Sequence, residues 1–254
     1  MPALKIDGNK PAVEGGADER ATRAADKLVE LSKLAGGLAH EIRNPLSTLN
    51  INLQLLEEDL TRSASEKEAI GRSRQRIAAL RREVRRLSDV LDDFLRFARM
   101  PKPQLAAEDI NEIVREVVRF IGPEARHNRA NILTSCGDIP PCLVDRDLLE
   151  QAILNIIINA EQAMPGGGDI MIRTSFSDGN ARISIADTGM GIPVKVLPHV
   201  FEPYYSTKKD GTGLGLSTVK RIVEEHGGGI EVHTEPNKGS CFTIGLPCKA
   251  VERS

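Results

Sequence analysis

The stretch "LLEQAILNIIINAEQAM" (148–164) has Leu, Ile and Ala at most positions and is predicted to be a helix. Asn155 and Asn159 are four residues apart and therefore lie on one face of that helix. A buried amide without a partner costs about 1–3 kcal/mol, so both side chains need partners. The neighbouring backbone could supply them. Alternatively, these neutral amides suit a hydrated Mg²⁺ that bridges to phosphates, and the helix alone leaves both interpretations open.

A second segment, "ISIADTGMGI" (183–192), is typical of a strand that ends at a carboxylate. Asp187 stands at the strand end, and Gly189 and Gly191 allow the backbone to approach a flat ligand closely. A carboxylate there can accept a hydrogen bond from an exocyclic amine such as adenine N6, whereas it would repel phosphate. Taken by itself, the segment could also be a simple turn.

A third segment, "GTGLGLSTVKRIVEEHGG" (211–228), places Gly211, Gly213 and Gly215 before a predicted helix. The free N–H groups and the dipole of a helix N-terminus attract phosphate. The segment lacks the G-K-[ST] ending of a P-loop, and no predicted strand immediately precedes it. Neither the P-loop nor the dinucleotide-binding interpretation fits, and a glycine triplet alone is weak support for a phosphate site.

The second half of the chain alternates between helical and strand patterns. Two prolines in "RMPKPQLAAED" (99–109) indicate a domain boundary, and Asp145 can cap the asparagine-bearing helix, which runs to Met164. The remaining predicted elements are helices at 109–127 and 214–226 and strands at 131–136, 142–145, 169–177, 181–187, 230–235 and 240–246. This order predicts an α+β sandwich of helices on one mixed sheet.

The first half is predicted to form two long helices. An apolar stripe runs from Leu28 to Leu60 with its register disturbed at Pro45. The second helix has a heptad seam: Ile70, Ile77, Val84, Leu91 and Ala98, with Ser73, Leu80, Leu87 and Phe94 three places after the first four. An antiparallel hairpin with so narrow a stripe favours a dimeric four-helix bundle. The alternative is a monomeric hairpin packed on the second half of the chain.

We therefore predict a flexible tail (1–17), a helical hairpin (18–100), a linker (101–108) and an α/β domain (109–250).

The chain has 254 residues, is 40% hydrophobic and 28% charged, and carries a formal charge of -2, which gives no general attraction to nucleic acid. No stretch approaches the roughly 18 apolar residues that a membrane span needs. We expect no nucleic-acid partner, no membrane span in this chain and a cytoplasmic location.

The four cysteines, Cys136, Cys142, Cys241 and Cys248, have no C-x-x-C spacing and lie among strand-like residues. In a reducing compartment this pattern argues against a zinc site or a disulfide framework. We predict buried thiols.

The order of the three chemical segments is more specific than any one of them. With "HEIRNP" (40–45) and "FEPYYSTK" (201–208), they resemble the phosphoacceptor, asparagine, first glycine, phenylalanine and second glycine boxes of the two-component sensor histidine kinases. Among these, the chain looks most like the nitrogen-regulation branch. The resemblance covers about residues 25–248.

For the second half, the resemblance implies a Bergerat-type α/β sandwich that binds ATP and Mg²⁺. It implies that Asp187 contacts adenine, that Asn159 is the metal ligand and that Asn155 lies nearby. The other nucleotide-binding positions that it implies are Gly189, Gly191, Phe201, Lys208, Gly211, Thr212, Gly213, Leu214 and Gly215. Phe201 could equally be a core anchor for the lid segment. Many family members have a basic residue where this chain has Gln162, which puts one secondary phosphate contact in doubt.

For the first half, the resemblance implies that His40 accepts the phosphoryl group. A neutral imidazole is a competent nucleophile because histidine titrates near ~6.5. Glu41 would take up or polarise the imidazole proton, Asn44 would orient water for dephosphorylation, and Pro45 would supply a bend. His40 is expected to be exposed. We predict a surface position and no catalytic role for the other four histidines, which are His127, His199, His226 and His233.

The resemblance thus implies a homodimeric ATP-dependent histidine kinase that passes phosphate to an aspartate on the receiver domain of a response regulator. One rival is an ATPase with the same nucleotide fold, as in the gyrase and Hsp90 relatives. Another is a scaffold that binds a regulator without catalysis. The "HEIRNP" helix argues against the first rival, and the intact asparagine, aspartate and glycine segments argue against the second.

Overall fold

The computed structural model describes residues 3–7, 17–61, 66–208 and 211–248, and of residues 6, 7, 17–35, 40, 60, 61 and 66–69 it describes the backbone alone. The helices are α1 (Ala17–Thr61), α2 (Glu66–Ala98), α3 (Ile110–His127), α4 (Arg146–Gln162) and α5 (Gly215–Glu225). The strands are β1 (Ala3–Asp7), β2 (Ala106–Glu108), β3 (Ala130–Cys136), β4 (Cys142–Val144), β5 (Gly168–Ser177), β6 (Asn180–Asp187), β7 (Gly229–Glu235) and β8 (Gly239–Pro247). A short 3₁₀ turn covers Leu197–His199.

The chain divides into two compact units. The first, which we call the sheet unit, contains Met1–Val13, Pro101–Glu202 and Gly215–Ser254, and the second, the hairpin unit, contains Glu14–Met100 and Pro203–Leu214. The sheet unit therefore differs from the predicted α/β domain (109–250) in two ways. It also contains residues 1–13, 101–108 and 251–254, and it lacks residues 203–214, which group with the helices. Each unit is described by itself below.

Helices α1 and α2 form the predicted antiparallel hairpin. Near the end of α1, Asp59 Oδ1 lies 3.2 Å from Nε of Arg72, and Asp59 Oδ2 lies 3.0 Å from Nε of Arg76. Further along, Glu41 lies 4.0 Å from Arg86. Positions earlier in α1 therefore pair with positions later in α2, as antiparallel packing requires.

The heptad seam of α2 is only partly covered within one chain. Ile70, Ile77, Val84 and Leu91 are between 46 and 53% exposed. Apolar side chains recurring every seven residues are typical of a face that packs on another helix. Helix α1 therefore leaves a continuous apolar row on α2.

The sheet unit is built on a six-stranded mixed sheet in the order β1-β7-β8-β6-β5-β3. Strands β3 and β5 are parallel, and the other neighbouring pairs are antiparallel. Alternate residues of β6, including Ile183, Ile185 and Asp187, are buried on the face that α4 contacts. The pleat therefore places the Asp187 carboxylate on the core side at the end of its strand. Strands β2 and β4 form a separate two-stranded sheet.

The start of α4 is fixed by a network around Asp145. Its side chain caps the helix by accepting from the Leu148 N–H at 3.1 Å, as the sequence predicts. The Asp145 N–H donates to His226 Nε2 at 3.0 Å, and the other ring nitrogen, Nδ1, lies 2.7 Å from the Ile222 carbonyl. The prediction of a surface position for His226 was therefore wrong, because this ring is buried and links the ends of α4 and α5.

Two other predictions were wrong in part. Residues 3–7 are not a loose tail but pair with β7, with Leu4 opposite Val232; residues 8–16 lie outside the described part of the chain. The linker contains β2, which pairs with β4.

The prediction of buried thiols was also wrong. Cys142 and Cys248 form a disulfide with a Cα–Cα distance of 4.8 Å. Of the other two cysteines, Cys136 is exposed and Cys241 is half-buried.

Candidate functional site

Helix α4 carries the two asparagines on one side and core residues on the other. Ile153, Ile156 and Ile157 are fully buried, whereas Asn155 and Asn159 are half-buried. The Asn155 side-chain amide donates to the Gly215 carbonyl at 3.3 Å. This bond joins α4 to the first residue of α5, so Asn155 has a backbone partner, although this partner lies 60 residues away and not in the neighbouring backbone that the sequence offered as an alternative.

Asp187 is held rigidly at the end of β6. It is 7% exposed, and its Oδ1 atom accepts hydrogen bonds from the Gly189 N–H at 2.8 Å and the Ser240 N–H at 3.3 Å. Two backbone donors on one carboxylate oxygen fix the orientation of the group. The arrangement orients a hydrogen-bond acceptor at the end of the central strand.

The glycines beside Asp187 are required by close backbone approaches. A Cβ on Gly189 would lie 2.7 Å from the Ala163 carbonyl, and one on Gly191 would lie 2.3 Å from the Glu235 carbonyl. Gly239 is more crowded still, because its Cβ would lie 1.9 Å from the Asp187 carbonyl. The "DTGMGI" loop is thus pressed between the end of α4 and the β7–β8 turn.

Thr234 fastens the same loop, although no chemical signal in the sequence pointed to it. Its hydroxyl accepts from the Ile192 N–H at 2.8 Å and donates to the Gly239 carbonyl at 3.1 Å. The side chain is 1% exposed. Ser240 was also missed, since it holds Asp187 through its backbone N–H, which every residue except proline carries.

Phe201 is a core residue of the sheet unit. It is 5% exposed and packs edge-to-face on Phe242, with ring centroids 6.5 Å apart and planes at 86°. This geometry matches the core-anchor alternative for Phe201.

Of the remaining predicted nucleotide-binding positions, Gly215 belongs to the sheet unit, and the others belong to the hairpin unit. Tyr204 N–H donates to the Gly213 carbonyl at 3.1 Å and Gly211 N–H donates to the Lys208 carbonyl at 3.4 Å, so the described residues of Pro203–Leu214, which are 203–208 and 211–214, lie close together. Gly213 has φ +68°, and a Cβ there would lie 2.6 Å from the Tyr204 carbonyl carbon. The Leu214 N–H donates to the Thr212 hydroxyl at 3.4 Å. We call Pro203–Leu214 the lid segment.

The phosphoacceptor motif lies within α1. The helix contains His40, whose side chain lies outside the described atoms, so its predicted exposure stays a prediction. Glu41 is half-buried and pairs with Arg86, and Asn44 is exposed. Pro45 is buried within the helix and cannot donate to the Glu41 carbonyl one turn earlier.

Two family models match the chain. Residues 30–103 match the His Kinase A (phospho-acceptor) domain, and residues 144–250 match the histidine kinase-, DNA gyrase B-, and HSP90-like ATPase. The first range contains His40 and the second contains Asn155, Asn159 and Asp187. The chain thus combines a phosphoacceptor helical domain with a nucleotide-binding fold.

Known histidine kinases are similar to this chain over most of its length. The sensor histidine kinase ZraS of Klebsiella oxytoca is 36% identical over 238 residues, which is 92% of this chain and 50% of that protein. Sporulation kinase C of Bacillus subtilis is 34% identical over 92% of this chain and 53% of that protein. The chain spans about half the length of these relatives. It belongs to the two-component sensor histidine kinases.

Solved structures agree with this fold. The ShkA structure in complex with AMPPNP has a TM-score of 0.61 at 28% identity and covers 87% of this chain and 46% of that one. Histidine kinase ThkA in complex with response regulator TrrA has a TM-score of 0.72 at 23% identity, with 96% and 70% covered. Membership of the nitrogen-regulation branch stays a prediction. None of the helices described here is both long and apolar enough to cross a membrane.

Proposed function

We propose that this chain is an ATP-dependent histidine kinase that phosphorylates itself on His40 and passes the phosphoryl group to an aspartate of a response regulator. The observation that carries the proposal is the presence, in one chain, of a phosphoacceptor match that includes His40 and an ATPase-type match that includes Asp187. The rival ATPase interpretation does not explain the phosphoacceptor match, and the rival scaffold interpretation does not explain the ATPase-type match.

The sheet unit fits a nucleotide. Gly189, Gly191 and Gly239 allow the backbone to pack closely around Asp187, and the fixed carboxylate suits the exocyclic amine of adenine. Asn159 is half-buried and has an amide oxygen, which is a ligand type that Mg²⁺ binds, so we assign it as the metal ligand. Asn155, one helical turn earlier, is hydrogen-bonded to the Gly215 carbonyl. The metal ion would neutralise charge on the phosphates. In the lid segment, Lys208, Gly211, Thr212, Gly213 and Leu214 are proposed to cover the phosphates.

The hairpin unit supplies the nucleophile and its base. A neutral imidazole nitrogen of His40 attacks the γ-phosphorus, and the bond to the leaving ADP oxygen breaks as the new N–P bond forms. Glu41 follows directly in α1 and takes up the proton of the ring. Arg86 lies 4.0 Å from the Glu41 carboxylate and helps to orient it.

A second copy of the chain is the proposed partner of the apolar row on α2. The row contains Ile70, Ile77, Val84 and Leu91 at heptad spacing, and pairing two hairpins would bury it in a four-helix bundle. ThkA has been solved with a response regulator, which supports a receiver domain as the second partner. Because ATP is supplied in the cytoplasm, the proposal places the reaction there.

The proposal is tested by incubating the purified chain with Mg²⁺ and γ-labelled ATP. We expect label that is stable to alkali and labile to acid, as a phosphohistidine is. His40→Gln should lose all label but keep nucleotide binding, whereas Asn159→Ala should lose the thermal stabilisation by Mg·ATP as well. Full labelling of His40→Gln would refute the assignment, and thermal stabilisation that survives in Asn159→Ala would refute the metal-ligand role.

We also propose that the chain dephosphorylates its regulator through Asn44. The Asn44 side chain is exposed and follows His40 by four residues, so it lies on the same side of α1 as the acceptor position. An amide there can orient water toward an aspartyl phosphate. Asn44→Ala should leave autophosphorylation within twofold of wild type and slow the loss of phosphate from the regulator. Equal slowing of both reactions would refute a separate role for Asn44.

A further inference from the structure

Within the hairpin unit, the ring of Tyr204 lies directly against α1 at Gly37. A Cβ built on Gly37 would lie 2.2 Å from Tyr204 Cδ2 and 2.7 Å from Cε2. At the preceding residue, Gly36, a Cβ would meet no atom within 4 Å. The absence of a side chain at Gly37 therefore makes room for the tyrosine ring.

The Tyr204 contact lies beside the phosphoacceptor motif. Gly37 precedes His40 by three residues, so the ring covers α1 less than one turn before the acceptor position. Burial, together with the negative charge of Glu41, raises the pKa of Tyr204 to about 12. The phenol therefore stays neutral and sits close enough to the proposed base to experience its charge.

The C-terminal end of the lid segment is attached to α2. Leu214 and Phe97 are 1% and 2% exposed and form one apolar cluster, against which Phe94 and Tyr204 pack. The Thr212 hydroxyl donates to Asp93 Oδ2 at 2.9 Å. The segment is thus held at Gly37 on α1 and at the cluster on α2.

Tyr204 also shows two unfavourable features in this position. Its hydroxyl oxygen is buried without a hydrogen-bond partner among the described residues, and its φ is +61°. Strain of this kind is common in switch regions, where the surrounding packing holds a conformation that is left readily.

We propose that the Tyr204 ring packs in the space left by the missing side chain of Gly37, which we call the Tyr204 seat. We propose further that this contact restrains autophosphorylation, because it holds the lid segment on the hairpin beside the acceptor motif. The inference rests on the proposed function, in which Gly211 and Gly213 must cover phosphate. While Tyr204 is seated, the segment is fixed at both ends, and its glycines cannot follow a nucleotide. Release of Tyr204 therefore precedes phosphorylation of His40.

The paired glycines allow a matched test in the full chain. Gly36→Ala and Gly37→Ala both add a methyl group within the same helix and raise helix propensity equally, but only the second collides with Tyr204. We expect Gly37→Ala to raise the initial rate of phosphate incorporation at least fivefold over Gly36→Ala. Tyr204→Ala should raise the rate similarly, because it removes the seated ring and leaves α1 unchanged.

A measurement without nucleotide tests the seat separately. The chain has two tyrosines and no tryptophan, so in a Tyr205→Phe background the fluorescence comes from Tyr204. Gly37→Ala should at least double the acrylamide quenching constant relative to Gly36→Ala. Unchanged quenching would overturn the seat, and increased quenching with an equal or lower phosphorylation rate would overturn the restraint. If no variant, wild type included, incorporates phosphate, the proposed function fails while quenching still decides whether the seat exists.

Discussion

Reduction of the Cys142–Cys248 disulfide should lower the stability of the sheet unit by several kcal/mol. The two cysteines are 106 residues apart in the chain. In the chain-entropy treatment of cross-links, a loop of this length restricts the unfolded state by roughly 16 cal/mol/K, or about 4.8 kcal/mol at 25 °C. At about 2–4 °C per kcal/mol for a unit of this size, the midpoint of thermal unfolding should fall by roughly 10 °C or more.

The assay is thermal unfolding followed by circular dichroism, with and without a phosphine reductant. Reducing the wild-type chain breaks the covalent link without creating the cavity that a substitution at two buried positions would leave. The control is Cys136→Ala, whose exposed thiol lies outside the disulfide and whose loss should leave the difference intact. Alkylation after denaturation should label two thiols in the oxidised chain and four in the reduced chain. Oxidised and reduced midpoints within 2 °C of each other would refute the reasoning.

Three further predictions concern the candidate site. Gly239→Ala should abolish Mg·ATP stabilisation and lower the unfolding midpoint, because its Cβ would lie 1.9 Å from the Asp187 carbonyl, whereas Gly166→Ala, with no atom within 4 Å, should change neither. Asp187→Asn should weaken ATP binding by about 2–3 kcal/mol in calorimetry. If the amide oxygen accepts from the two backbone N–H groups, the NH₂ group faces the adenine amine, and two donors then oppose each other. Binding within threefold of wild type would contradict the proposed adenine contact. Burial raises the pKa of Asp93, so the charged carboxylate opposes folding at neutral pH. Asp93→Asn keeps an acceptor for the Thr212 hydroxyl and should increase the free energy of unfolding at pH 7. This increase should shrink as the pH falls toward 4, because Asp93 then becomes neutral in the wild-type chain. A gain that grows on acidification would contradict this sign.

The sequence predicted most of the elements because their signals are local. Helix α4 combined an apolar pattern with a capping aspartate, and the hairpin of β5 and β6 was signalled by its turn residues. Strand β1 has no such signal. It has five residues and forms by pairing with β7, more than 220 positions later in the chain. The disulfide was missed for the same reason, since the fold alone brings Cys142 and Cys248 together.

The sequence could suggest candidate site residues where the chemistry resides in side chains. Asp187, Asn155 and Asn159 were chosen as candidates because carboxylates and amides indicate what they can bind, and their binding roles stay predictions. The parts that fix Asp187 in place are backbone atoms and a threonine hydroxyl, from Gly189, Ser240 and Thr234. The positions of Thr234 and Ser240 follow from the register of β7 and β8, which pairs these two residues and cannot be read from a single sequence.

The second glycine motif, residues 211–215, is divided between the two units of the chain. Gly215 belongs to the sheet unit and is tied there by Asn155 at 3.3 Å, while Gly211, Thr212 and Gly213 belong to the hairpin unit. The change between units therefore falls inside a motif that the sequence presents as continuous. The bond from Asn155 to the Gly215 carbonyl holds the first residue after the lid segment to α4. Asn155, which the resemblance places near the metal ligand Asn159, therefore has a structural bond at the boundary between the two parts of the motif.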